Sequence, residues 1–193
     1  MCISDARLSR IMLVSIHSKN HKGATHFMKV VRLTPKHADE IAELEQKVYA
    51  PKFQHGHETI RANLLKSEDE SGNLSWGLLE NDRLVGYITA WVDESHVKEY
   101  IQEDVIFIDD IVIIPDYRSG LYKILKAFSK SLMKEGKWGL PIESIARRNA
   151  YELYTKHREL LEKFGYELAY TYEYQDESHN ELLIWVRFEN ARS

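Results

Sequence analysis

A chain of 193 residues, 44% of them apolar, is long enough to bury one core and fits one domain. Thirty acidic residues against 26 basic ones leave a net charge of −4, which argues against general nucleic-acid binding, since that needs a basic face. The one cysteine, Cys2, excludes a disulfide framework and a thiolate zinc site, and no apolar run reaches the ~18–20 residues of a bilayer span, so a cytoplasmic protein is expected.

Residues 1–27 read apart from the rest. They carry Arg7, Arg10, Lys19 and Lys22 against Asp5 alone, and the run Ile11 to Ile16 is short for a secretory segment. A loosely ordered N-terminal extension is the expectation, with an organelle transit segment as the alternative. Met28 opens the well-patterned part and is a candidate natural start. His17, His21 and His26 have loose ligand spacing without a supporting carboxylate or cysteine, so no metal site is expected there.

Residues 28–193 read as a single domain of alternating strands and helices. Lys29 to Leu33 is a strand, after which Thr34 and Pro35 cap a helix to about Val48, with Ile41, Leu44 and Val48 on one face. A loop, Pro51 to Gly56, precedes a second helix from about Glu58, and Ser67 to Gly72 reads as a charged turn. Leu74 to Glu80 and Arg83 to Val92 form a hairpin about Asn81-Asp82. The acidic connection Asp93 to Asp104 leads to an apolar central strand, Val105 to Ile114. A helix then runs from Gly120 to Glu135, with Leu121, Leu125, Phe128 and Leu132 inward. Pro141 to Ala146 is a strand, Asn149 to Lys163 a helix, and Tyr166 to Tyr174 and Glu181 to Phe188 a last antiparallel pair.

The order β-α-α-β-β-β-α-β-α-β-β implies a mixed, mostly antiparallel α+β sheet with one parallel crossover at the central strand. With the segments MKVVRLTPKHADEIAELE, IDDIVIIPDYRSG and LLEKFGYEL in that order, the chain resembles the GNAT superfamily of acyl-CoA N-acyltransferases over Met28 to Phe188. The resemblance implies acetyl-CoA as co-substrate and an amine-bearing acceptor, either a small molecule or a protein lysine or N-terminus. With a net charge of −4 and no spanning apolar run, no nucleic-acid or membrane partner is expected. Edge strands in this fold often pair between subunits, which leaves a homodimer open.

By the same resemblance, Ile111, Val112 and Ile113 offer backbone groups to the pantetheine arm. Arg118, Ser119, Gly120, Leu121 and Tyr122 form the turn that binds the CoA pyrophosphate through successive N–H groups. The family has small residues at two positions of that turn. Without a gap, Leu121 and Lys123 stand there; with one residue deleted, Gly120 and Tyr122 do. Arg118 adds a charge-assisted contact.

Acyl transfer to an amine needs a base, because alkylamines are protonated at neutral pH, and an acid for the departing thiolate. Asp109 and Asp110 lie in the apolar central strand, where unpaired carboxylates are costly. Adjacent strand residues point to opposite faces, so only one is expected to face the acceptor cleft. Asp109 is favoured for the base or its water, with the N–H of Ile111 or Val112 polarising the thioester. Tyr154 matches the end of the family's Asn-x-x-Ala-x-x-Leu-Tyr pattern and is the candidate acid. Alignment on Gly165-Tyr166 instead places Leu161 there. Asn149 is a candidate pantetheine contact.

Glu80 and Tyr87 lie on the hairpin that lines the acceptor side in the family. His55 and His57 lie in a loop that shapes acceptor specificity there, and no metal is expected at them. Trp76, Trp91, Trp138 and Trp185 read as core. The acidic run Glu94, Glu99, Glu103 and Asp104 would draw cationic amines. The alternative to an enzyme is a non-catalytic GNAT-like module that works through CoA or protein contacts.

Overall fold

The computed structural model describes residues 10–11, 27–51, 54–95, 103–147, 166–176 and 179–188. The helix expected over Asn149 to Lys163 lies outside them, as does most of the N-terminal extension. Two residues of that extension, Arg10–Ile11, form a short strand, β1.

After β2, Met28–Arg32, Thr34 and His37 cap one another. The His37 Nδ1 lies 3.0 Å from the Thr34 N–H and 3.1 Å from its Oγ1. A single turn with Pro35 first leads from this cap into α1, Ala38–Val48. The next helix, α2, spans His57–Ser71, so residues 67–71, expected to form a turn, are its last turn. The reason is that its serines face inward. Ser67 Oγ donates to the Ala90 carbonyl at 2.6 Å, and Ser71 Oγ accepts the Val92 N–H at 2.7 Å. Gly72, with φ +68°, then stops the helix in the left-handed conformation that glycine tolerates best.

β3, Trp76–Glu80, and β4, Arg83–Glu94, form the expected hairpin. Asn81 and Asp82 both take positive φ (48° and 59°), as a two-residue type I′ turn requires. The remaining elements are β5 (Asp104–Ile113), α3 (Leu121–Lys134), β6 (Ile142–Arg147), β7 (Tyr166–Asp176) and β8 (His179–Phe188).

All eight described strands join one sheet in the order β2-β3-β4-β5-β6-β8-β7, with β1 added against β5. The β5–β6 pair is parallel with α3 as its crossover, as the sequence implies, and β1 is also parallel to β5. The other pairs are antiparallel. Helices cover both faces. On one, Ile124, Phe128 and Leu132 of α3 pack on Leu78, Ile88, Ile106 and Ile113. Burial of each such side chain contributes roughly 1.5–3 kcal/mol. On the other, Ile41 and Leu44 of α1 and Ile60 and Leu64 of α2 pack on Leu84, Tyr87 and Val112.

Two irregularities of β5 give the sheet its functional shape. Thr89 of β4 pairs with Asp110, but the next residue, Ala90, pairs with Ile108, so Asp109 is an extra residue with no partner across the ladder. This β-bulge changes the alternation of the strand. On its other edge β5 pairs with β6 only from Ile106 to Ile108, while β6 continues with β8 to Arg147. Beyond the bulge the two parallel strands therefore part company, leaving a fork.

Candidate active site

The bulge overturns the expectation that only one of the two aspartates faces the helices α1 and α2. Val112 marks the α1–α2 side beyond it, and both carboxylates reach groups on that side. Asp109 Oδ2 accepts from Asn63 Nδ2 of α2 at 3.0 Å and, more distantly, from Thr89 Oγ1 at 3.4 Å. Asp110 accepts two short bonds of 2.6 Å, from Tyr49 OH to Oδ1 and from Tyr87 OH to Oδ2.

The second half of the site comes from α1 and the loop after it. Glu45 lies one helical turn beyond Ile41 on the inward stripe and is 1% exposed. Its carboxylate takes the backbone N–H of His55 at 2.6 Å and stands 3.0 Å from His55 Nδ1. Tyr87 OH is also within 3.2 Å of Glu45 Oε1. A phenol has one proton, so Tyr87 bridges two carboxylates while donating fully to one, and the 2.6 Å bond identifies Asp110 as that one. Glu45, His55 and Asp110 bring one ligand atom each within 4.8 Å of one another, but all three are engaged in these hydrogen bonds.

Burial sets the proton affinities here. It pushes Asp110 up to about 8; the Tyr49 and Tyr87 hydroxyls act against this, and the charges of Asp109 and Glu45 add to it. Asp109 is also raised by burial, held in check by His55 and by Asn63. His55 moves the opposite way from a plain buried imidazole. Burial alone would lower it, but the bond to Glu45 and the charges of Asp109, Glu45 and Asp110 bring it to about 9. The result is a partly buried His55–Glu45 ion pair beside two carboxyl groups whose proton affinity burial raises. Among the described groups, Asp109 accepts hydrogen bonds through Oδ2 only. Its Oδ1 takes part in none of these hydrogen bonds.

The turn expected after β5 is helical throughout. Residues Pro115–Gly120 form a tight 3-10 helix that runs straight into α3, and the Leu121 N–H already bonds to the Arg118 carbonyl. Arg118, Ser119 and Tyr122 are exposed, whereas Gly120 is buried. A Cβ on Gly120 would collide with Leu78 Cδ2 and stand 2.9 Å from Met28 Sδ. Packing of α3 on β2 and β3 thus explains this glycine. Of the expected backbone contacts, Val112 faces α1 and α2, and Ile111 and Ile113 pack on the α3 side at the fork. Tyr154 and Asn149 lie outside the described residues.

Sequence reasoning misses Glu45, Tyr49, Asn63 and Thr89, and gives Tyr87 and His55 only weak claims. Glu45 carries a signal, an acidic residue on the apolar stripe of α1. His57 instead pairs with Asp39 at 3.0 Å on the surface, and Tyr117 hydrogen-bonds Glu80 away from the cluster. Trp91 is core, fully buried against Phe107.

Comparison with known proteins bears on the fold that carries this cluster. The sequence model of the acetyltransferase (GNAT) family matches residues 38–125. No curated protein matches the chain by sequence. Among solved structures, Naa50 of Arabidopsis thaliana, bound to the bisubstrate analogue CoA-Ac-MVNAL, is 15% identical with a TM-score of 0.58, over 83% of this chain and 97% of that one. The ribosomal-protein-S18-alanine N-acetyltransferase of Escherichia coli is 19% identical with a TM-score of 0.59, over 86% and 96%. The PaiA N-acetyltransferase of Thermoplasma acidophilum, in complex with coenzyme A, is 11% identical with a TM-score of 0.56, over 83% and 99%. At these identities the structures share the fold.

Proposed function

We propose that this chain, whose residues 38–125 match the sequence model of the acetyltransferase (GNAT) family, is a member of that family and moves an acetyl group from acetyl-CoA to a primary amine by direct attack in a ternary complex. The observation that carries the reading is the conjunction at β5, where the β5–β6 fork opens beside the bulge that turns Asp109 and Asp110 to one side. A parted strand edge offers main-chain N–H and C=O groups to the amides of a pantetheine arm. The exposed Arg118 and the start of α3 lie at the end of the same strand, where a pyrophosphate would be drawn to Arg118 and to the positive end of the helix.

In the proposed reaction Asp109 Oδ1, directly or through a water, takes a proton from the acceptor ammonium. The freed nitrogen lone pair attacks the thioester carbonyl, polarised by the N–H of Ile111 or Val112. As the new C–N bond forms the C–S bond breaks; the thiolate takes a proton, for which Tyr154 is proposed on the resemblance, and the acylated nitrogen gives its second proton back to that phenolate, leaving the neutral amide. Asp110 is assigned a positioning role, since both of its oxygens are held by Tyr49 and Tyr87. One structural neighbour is named for acetylating an alanine of a ribosomal protein, and another is bound to an analogue that joins CoA to MVNAL. The acidic lining here suits a cationic amine, on a peptide of that kind or on a small polyamine.

The test is calorimetric titration with acetyl-CoA, with dephospho- and desulfo-CoA as controls, then a screen of amines and N-terminal peptides for thiol release. Micromolar binding that depends on the pyrophosphate, together with amine-dependent thiol release, supports the reading. No binding at millimolar acetyl-CoA refutes it.

A further inference from the structure

The fork that β5 and β6 leave is not empty of protein. Arg10 and Ile11 of β1 pair in parallel with Asp110 and Ile111 of β5. The opposite edge of β5 is taken at these residues by Thr89 and Ile88 of β4, so β1 occupies the edge that β6 abandons after Ile108. β1 also lies against β6. Arg10 and Ile11 thus lie paired, at the bulge, along the strand edge that the acetyl-CoA reading assigns to the donor, with Ile111 common to both.

We propose that Arg10–Ile11 act as an internal plug of the donor slot, and that acyl-CoA binds only when this strand leaves the fork. The proposal rests on the acetyl-CoA reading of the site. Its physical basis is competition for one strand edge. A peptide strand and a pantetheine arm both bind such an edge through amide groups, and the main-chain groups of Asp110 and Ile111 on that edge can serve one of them. The plug is short, two residue pairs, so its intrinsic hold is weak, but it is tethered through the chain leading to Met28 and acts at high effective concentration. Its occupant is specified by the structure as this chain's own N-terminal segment. A partner that captured that segment would open the slot, which makes the plug a point of regulation.

The expected effect comes from population. If the slot is open in about one molecule in ten, the apparent Kd for CoA is about tenfold weaker than that of an unplugged chain. The experiment compares the unaltered full chain with a variant carrying Arg10→Pro and Ile11→Pro, because proline donates no N–H to a ladder. CoA affinity is read by calorimetry. In parallel, hydrogen exchange of the unaltered chain is followed with and without CoA, which needs no variant to fold. The proposal expects CoA to bind the variant about tenfold more tightly, and CoA to speed amide exchange around Arg10 and Ile11 in the unaltered chain. Equal CoA affinities with unchanged exchange at Arg10 and Ile11 would overturn the plug and leave the acetyl-CoA reading standing. Absence of CoA binding in both proteins at millimolar concentration would overturn both.

Discussion

Tyr49, the residue that closes α1, donates a 2.6 Å hydrogen bond to Asp110, 61 residues further along the chain in the middle of the sheet. Both groups are buried. Tyr49→Phe would leave one oxygen of a buried carboxyl without its donor, at a cost of about 1–3 kcal/mol. Urea unfolding should show that loss. The same variant should raise the Asp110 pKa further, because the lost bond favours the charged form.

Stability should fall as pH rises from about 6.5 to 9. His55 has a folded pKa of about 9 against an ordinary 6.5, so its ion pair with Glu45 stabilises fully below 6.5 and is lost as pH rises through 9. Asp110, raised to about 8, acts with the same sign, since the folded state holds a proton that the unfolded state has released. The His55 share is on the order of 2–3 kcal/mol. His55→Gln should flatten that part of the stability profile in guanidinium melts between pH 6 and 9.5. An unaltered slope would remove His55 from the account.

Gly120→Ala should destabilise the fold by about 1–3 kcal/mol through overpacking against Leu78 and Met28. Pairing it with Leu78→Val, which removes the colliding methyl, should recover part of the loss. Thermal melts of the single and double variants measure this. Equal melting temperatures for the two would show that the crowding is relieved elsewhere.

Much of the fold was legible because its signals are local. Thr34-Pro35 marks a helix start, Asn81-Asp82 a hairpin turn, and Val105 to Ile114 a buried central strand, and all three are where the sequence puts them. The end of α2 was not legible, because Ser67 and Ser71 look like turn residues until their hydroxyls are seen bonded to β4. The bulge was hidden for a related reason. Strand alternation read from sequence assumes an unbroken ladder, and nothing in the succession Ile108 to Ile111 says that Ala90 will pair with Ile108. With the bulge unseen, alternation puts Asp109 and Asp110 on opposite faces. Glu45 and His55, 10 residues apart, meet only through the tertiary fold. Gly120 was read through its family position, whereas packing against Leu78 accounts for it.

If the bulge frees Asp109 to act as the base of acetyl transfer, the decisive quantity is the turnover of Asp109→Asn, with acetyl-CoA affinity determined on the same preparation by calorimetry. Asn keeps the size of the side chain and a carbonyl acceptor for Asn63, but cannot take up a proton near neutral pH. Acetyl-CoA affinity should stay within about twofold of the unaltered protein while kcat falls about 10²–10⁴-fold. Turnover equal to that of the unaltered protein, at equal acetyl-CoA affinity, would contradict the assignment of Asp109 as the base.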